Sequence, residues 1–273
     1  EVLLHGDDYD AAYERAVVVA RERNMVFVHP FDDPDVIAGQ GTIGMEIARQ
    51  TAGQLDVVFV PVGGGGLIAG IAVYLKFLYP RVRIVGVNAA DSTAMTDSLR
   101  QGKRVALDKV GIFADGCAVR RVGEETFRLA KMHVDEMITV DTDEICAGVQ
   151  DIFEDTRSIV EPAGALAVAA MKKYVAREKI QGKRLVAINC GANLNFDRLR
   201  HIAERAEIGA QREALLAVQI PEEPGSFRRF CGVLGQRAVT EFNYRFETEH
   251  AAMVFVGFGL SGGRAERDKV IAD

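Results

Sequence analysis

The chain has 273 residues, 48% of them hydrophobic and 26% charged, so it can bury a core and is no disordered tail. A net charge of −6 without a basic stripe argues against nucleic-acid binding, and no apolar run reaches membrane-spanning length. Small-molecule chemistry remains, in one large α/β domain alone or with part of another.

Val2 to His5 reads as a short strand. Asp8 to Arg23 has the period of an amphipathic helix, with Ala12, Ala16, Val19 and Ala20 on one face. Met25 to Val28 reads as a second strand, ended by the turn Pro30 to Pro34, with a helix expected over Gly41 to Gln50. Leu55 to Val62 is apolar with little alternation, which suits a parallel strand buried on both faces. Four glycines, an apolar helix from Leu67 to Leu78 and a strand over Arg83 to Val87 complete a βαβ unit.

Met137 to Val140 is the next strand, followed by a helix capped by Asp141 or Thr142 and running to about Asp155. Pro162 to Tyr174 reads as a buried helix and Leu185 to Asn189 as a buried strand, so the chain alternates as α/β to about Glu207. Beyond the charged stretch Glu204 to Glu213 the order changes. Strands over Ala214 to Ile220, Ala238 to Phe246 and Ala252 to Leu260, with helices over Gly225 to Leu234 and from Gly263, begin a split βαβ module without its last strand. Glu1 to Gly6 carry neither an initiator Met nor a signal-peptide pattern, so the chain is expected to start in mid-protein.

Gly63-Gly64-Gly65-Gly66-Leu67 is the strongest chemical signal, since glycines between a buried strand and a helix let backbone amides approach a phosphate. The plain alternative is a tight turn. Gly64-x-Gly66-x-x-Ala69 also fits a dinucleotide fingerprint, but Asn88 stands where an acid would bind the ribose, and Asp91 could serve only on a longer strand. Asn189 to Asn195, after a buried strand, lies where open α/β sheets bind ligands, or is only an Asn/Gly turn. Phe113 to Val119 and Glu161 to Ala165 each set an acid beside small residues, as helix starts do. Cys117, Cys146, Cys190 and Cys231 lack C-x-x-C spacing and a nearby His, and read as reduced residues of a cytoplasmic protein.

In this order, the four motifs resemble those of the fold-type-II pyridoxal-phosphate enzymes, which include the serine and threonine dehydratases, cysteine synthase and the tryptophan synthase β chain. Phe31-Asp32-Asp33-Pro34 through Thr42, then Pro61 to Leu67, resemble the dehydratases. Glu124 to Leu129, Gln211 to Leu216 and Pro221-Glu222-x-x-Gly225-Ser226-Phe227 are similar to biosynthetic threonine dehydratases in particular. The resemblance implies a tryptophan synthase β-like parallel sheet with flanking helices, followed by a partial ACT-like α+β module. The domains it implies are 1–28 (the remainder of a small catalytic subdomain), 29–207 (cofactor-binding) and 208–273 (regulatory).

It further implies pyridoxal 5'-phosphate as cofactor, its phosphate held by Gly63, Gly64, Gly65, Gly66 and Leu67, with Cys190 against the pyridine nitrogen. The implied reaction turns L-threonine into 2-oxobutanoate and ammonia, the first step of isoleucine biosynthesis. Isoleucine and valine are the implied effectors, and a homo-oligomer the implied assembly. The Ser-Phe-Lys-x-Arg-Gly-Ala string that carries the Schiff-base lysine is absent, so no catalytic residue is assigned here and this chain alone is expected to be inactive. No metal is expected, because Gly111 stands where some dehydratases place an acid. The alternatives are a serine or catabolic threonine dehydratase, a non-catalytic amino-acid-binding regulator, and a nicotinamide dehydrogenase.

Overall fold

The computed structural model describes residues 1–6, 9–248 and 251–273, and the chain divides into two compact units, Glu1–Phe196 and Asp197–Asp273. The first is built on a sheet of β1 (Val57–Pro61), β2 (Arg83–Ala89), β3 (Glu136–Val140) and β4 (Leu185–Ala187), in the order β3-β2-β1-β4 with every pairing parallel. All five residues of β1 are buried, as its unbroken apolar run requires of a central strand covered on both faces. Val58 and Val60 pack into the core cluster beneath α3 (Gly66–Leu78), while Phe59 meets the Tyr174 ring of α7 (Pro162–Glu178) edge to face at 5.2 Å. Because all four strands run one way, the loops leaving Pro61, Ala89, Val140 and Ala187 gather at a single edge. Ligands of open α/β sheets bind there.

Against α3 lies α2 (Pro34–Gln50), the two crossing where glycines face each other. A Cβ on Gly70 would overlap the carbonyl of Ile37 and come within 2.6 Å of the Gly41 nitrogen. From α3, Ile68, Ile71 and Leu75 are fully buried, each burial worth roughly 1.5–3 kcal/mol. The remaining helices of this unit are α1 (Tyr9–Glu22), α4 (Ala94–Gln101), α5 (Glu124–His133) and α6 (Thr142–Thr156). Asp141 is the cap of α6: it accepts from the Glu144 amide at 2.9 Å, and its own amide donates to the Glu144 carboxylate.

Several expectations need correction. Val2–His5 and Met25–Val28 form no strand, because neither has a ladder partner among the described residues, and Leu4 and Val26 stand 95% and 90% exposed. A strand is a pairing, and an apolar run alone does not make one. The helix expected from Gly41 starts at Pro34: Asp33 caps it, accepting from Asp35 N at 2.8 Å and Val36 N at 3.2 Å, with Pro34 in the first turn. Within that first stretch Gly39, a poor helix former, interrupts the apolar pattern. The expected start of α1 at Asp8 lies outside the described residues.

The second unit holds α8 (Arg198–Gly209), β5 (Glu213–Pro221), α9 (Ser226–Leu234), β6 (Val239–Thr248), β7 (Ala251–Gly259) and α10 (Gly263–Ala272). Its antiparallel sheet runs β5-β7-β6, so the β-α-β-β-α order read from the sequence is the order observed. Central β7 turns Ala252, Val254, Val256 and Phe258 inward, all fully buried, against Phe230 and Leu234 of α9 and Val270 of α10. Period-two alternation on β5, with Ala214 and Ile220 buried and Leu215, Ala217 and Gln219 exposed, marks a sheet covered on one face.

Candidate functional site

Beyond β1 the chain stays on the sheet for one more residue, the Val62 amide donating to Val87 O at 2.8 Å. Asn88, buried at the end of β2, holds this point from the side. Its Nδ2 donates to Val62 O at 2.7 Å, and its Oδ1 accepts from the amide and hydroxyl of Thr96 at 3.1 and 2.7 Å. Both ends of the side chain are thus used in structure. With β2 ending at Ala89, neither Asn88 nor Asp91 answers the ribose requirement of a nicotinamide site.

Gly63 to Gly66 then turn the chain into α3. Gly65, the N-cap, has φ +103°, a backbone that L side chains rarely adopt, and supplies no side-chain cap. The Phe31 ring lies so close to Gly64 that a Cβ there would overlap it. The amides of Gly63, Gly64, Gly65, Gly66 and Leu67 have no acceptor among the described residues, although Gly64, Gly65 and Gly66 are buried. Each buried N–H left unpaired costs on the order of 1–3 kcal/mol. A run of such donors at the positive end of a helix is the chemistry that receives a phosphate, so the residues present fit the phosphate group of pyridoxal 5'-phosphate. Leu67 offers its amide only, its side chain packing into the core.

Cys190 follows β4, which pairs with β1, so its turn opens at the same edge of the sheet. Glu161, just before α7, is folded onto this turn: its Oε2 accepts from Asn193 N at 2.9 Å, and its amide donates to Gly191 O at 3.2 Å. Gly191 has φ +79°, and a Cβ on it would overlap the Glu161 carboxylate. Burial, and then the Glu161 carboxylate, pushes the half-buried Cys190 thiol upward. Cys117, ending a 3-10 turn over Asp115–Cys117, is pushed up to about 12 by its burial first, with Cys190, Glu161 and Asp115 adding to it. Its Cα lies 3.1 Å from where a Gly63 Cβ would stand, so the Asp115–Cys117 turn lies beside the glycine loop.

All four sequence motifs therefore meet at the carboxyl edge of one sheet. Sequence reasoning missed Thr126, fully buried in the first turn of α5, whose hydroxyl donates to Gly64 O at 2.7 Å. It also missed Asp32, whose carboxylate accepts from the amides of Glu124, Glu125 and Thr126 at 2.7, 2.9 and 3.1 Å. The only signal for either was membership in a string that resembled the dehydratases. No cluster of three metal-ligating side chains occurs among the described residues, nor is any helix there long and apolar enough to cross a membrane.

Two family models match this chain: residues 1–191 match that of the pyridoxal-phosphate dependent enzymes, and residues 204–273 that of the C-terminal regulatory domain of threonine dehydratase. The biosynthetic L-threonine dehydratase of Burkholderia multivorans is 58% identical over 257 residues, which are 94% of this chain and 51% of that protein. Its counterpart in Escherichia coli is 53% identical over 271 residues, 99% of this chain and 52% of that protein. Among solved structures, the processed form of threonine deaminase isoform 2 from Solanum lycopersicum superposes with a TM-score of 0.73 at 42% identity. That match covers 76% of this chain and 57% of the tomato chain. The chain spans about half the length of the curated relatives it matches.

Proposed function

The chain belongs to the pyridoxal-phosphate-dependent enzymes, and on that premise we propose that Gly63 to Leu67 hold the phosphate of pyridoxal 5'-phosphate. The observation that carries this is the run of amides at the start of α3, those of buried Gly64, Gly65 and Gly66 among them, that have no acceptor among the described residues. A phosphate would satisfy them and carry the charge the helix dipole favours there. Cys190, one strand over, faces the pyridine nitrogen in this reading. Its raised thiol stays protonated at neutral pH, so it can offer an S–H to an unprotonated nitrogen without giving up a proton. Glu161 holds the turn that carries it. When bound, the pyridoxal ring supplies the electron sink for loss of the α-proton and hydroxyl of a β-hydroxy amino acid.

For the whole protein the proposed activity is dehydration and deamination of L-threonine to 2-oxobutanoate and ammonia, with residues up to 207 serving the chemistry. Residues 208–273 serve its regulation, with isoleucine inhibiting and valine opposing it, in a cytoplasmic homo-oligomer. The names of the relatives that match 94% and 99% of this chain support the substrate, and the match over 204–273 supports the regulation.

Pyridoxine 5'-phosphate and pyridoxine, which lack the reactive aldehyde, test the loop by equilibrium dialysis against this chain. Clear preference for the phosphate ester is expected, and equal affinity would remove the cofactor reading. The product of the complete reading frame, supplied with pyridoxal phosphate, should release 2-oxobutanoate from L-threonine, and less of it when isoleucine is added. Release from L-serine alone would overturn the substrate.

A further inference from the structure

We propose that Thr126 is a positioning residue for the glycine loop, fixing the Gly64–Gly65 peptide so that the Gly65 amide is presented to the phosphate. The inference rests on the cofactor reading above. In a trans peptide the C=O and N–H point to opposite sides of the chain. The Gly64 carbonyl is held toward α5 by two donors, the Thr126 hydroxyl at 2.7 Å and the Gly123 amide at 3.2 Å. The Gly65 N–H is thereby aimed away from α5, and in this buried residue it has no acceptor among the described residues.

Turning that peptide over would put a carbonyl oxygen where an anion is to sit, and glycines on both sides make the flip sterically cheap. Thr126 opposes it in two ways. Breaking its bond would strand a buried hydroxyl, and its side chain packs against Gly65, where a Cβ would come within 2.9 Å of the Thr126 Cβ. The helix bearing Thr126 is itself anchored from outside. Gly123 offers α5 no side-chain cap, and the Asp32 carboxylate receives the first three amides of α5 instead. Asp32 is steadied in turn by its own amide, which donates to His29 Nδ1 at 2.9 Å. A connected path runs from Asp32 through the first turn of α5 to Thr126, the Gly64 carbonyl and the Gly65 amide.

The test is the affinity ratio of pyridoxine 5'-phosphate to pyridoxine, measured on the wild-type chain and on Thr126→Val, Thr126→Ser and Thr126→Ala. Valine keeps the shape and removes the hydroxyl, and its ratio should fall about five- to tenfold, the worth of one buried hydrogen bond. Pyridoxine affinity itself should stay level. Serine should restore the ratio. Alanine, which removes the hydroxyl without adding bulk, should lose it as valine does and covers the case in which valine fails to fold. A valine variant that keeps the wild-type ratio, or loses both ligands equally, overturns the role of Thr126 and leaves the phosphate site standing. A wild-type chain with no preference for the phosphate ester overturns both.

Discussion

Asp32 and Asp33 are neighbours in the chain and cap two different helices. Asp33 accepts from the amides of Asp35 and Val36 at the start of α2, a local cap. Asp32 accepts from the amides of Glu124, Glu125 and Thr126, more than ninety residues away at the start of α5. One dipeptide thus ties the entry of α2 to the helix that touches the glycine loop.

The two carboxylates share no amide, so each loss should be felt at its own helix. Each of Asp32→Ala and Asp33→Ala is expected to lower stability by about 1–2 kcal/mol, the usual worth of a cap, and the double variant by more than either single. Urea unfolding of the single and double variants measures this. A double variant no less stable than either single would mean that the two caps work as one unit. Asp33→Asn, which keeps the one oxygen that accepts both amides, should recover most of the loss, whereas Asp32→Asn should recover only part, because its amide nitrogen would replace the oxygen that accepts from Glu124.

The glycines of α2 and α3 separate into those that helix packing needs and those that it does not. Gly70→Ala would drive a methyl into the Ile37 carbonyl and the Gly41 nitrogen, and should cost on the order of 1–3 kcal/mol or more as α2 is pushed away. Gly39, also in α2, would place a Cβ in open space, so Gly39→Ala should stabilise by about 0.4–1 kcal/mol through lost unfolded-state freedom. Urea midpoints for the pair distinguish close approach from mere composition. Equal shifts would show that the helices do not meet at Gly70.

What the sequence disclosed and what it hid follow from the range of each interaction. β1 was legible because burial on both faces leaves an apolar run, and the glycine loop because four glycines at a strand end have few other uses. The alternation of β5 and the capping pair Asp141 and Glu144 were likewise written within a few residues. Thr126 and Asp32 were not, because their partners lie 62 and more than 90 residues away, and a Thr in a first turn or an Asp just before a helix satisfies local rules on its own. Val2 to His5 and Met25 to Val28 failed for the opposite reason: their local pattern is right for a strand, but pairing is a property of the partner.

Glu161 should control the reactivity of Cys190. Burial is the larger cause of the raised Cys190 thiol and the Glu161 carboxylate the second, so Glu161→Gln removes one of two opposing influences on the thiolate. At mildly alkaline pH the Cys190 thiol of the variant should react faster with iodoacetamide, followed by mass spectrometry against exposed Cys231 as the internal standard. Buried Cys117, with its thiol near 12, should stay unlabelled in both proteins. An unchanged rate at Cys190 would mean that the Glu161 charge is not felt at the sulfur.

The second unit carries its own pH dependence in Glu266. Its carboxylate accepts from the Gly262 amide at 2.7 Å, from Arg237 Nε at 2.8 Å and from the Ser261 amide at 2.8 Å, and these bonds hold it down to about 2. Arg237 also donates to Leu234 O at 2.9 Å, so the carboxylate joins the end of α9 to the start of α10. A depressed carboxyl contributes its stability in full above its unfolded value of about 4.5 and loses it as the pH falls toward about 2. In Glu266→Gln that contribution is gone at every pH. The amides of α10 should therefore exchange with solvent faster in the variant near neutrality, and the difference should close between pH about 4.5 and about 2. A difference that persists unchanged into acid would mean that the three bonds act through shape alone and that the charge on Glu266 contributes nothing.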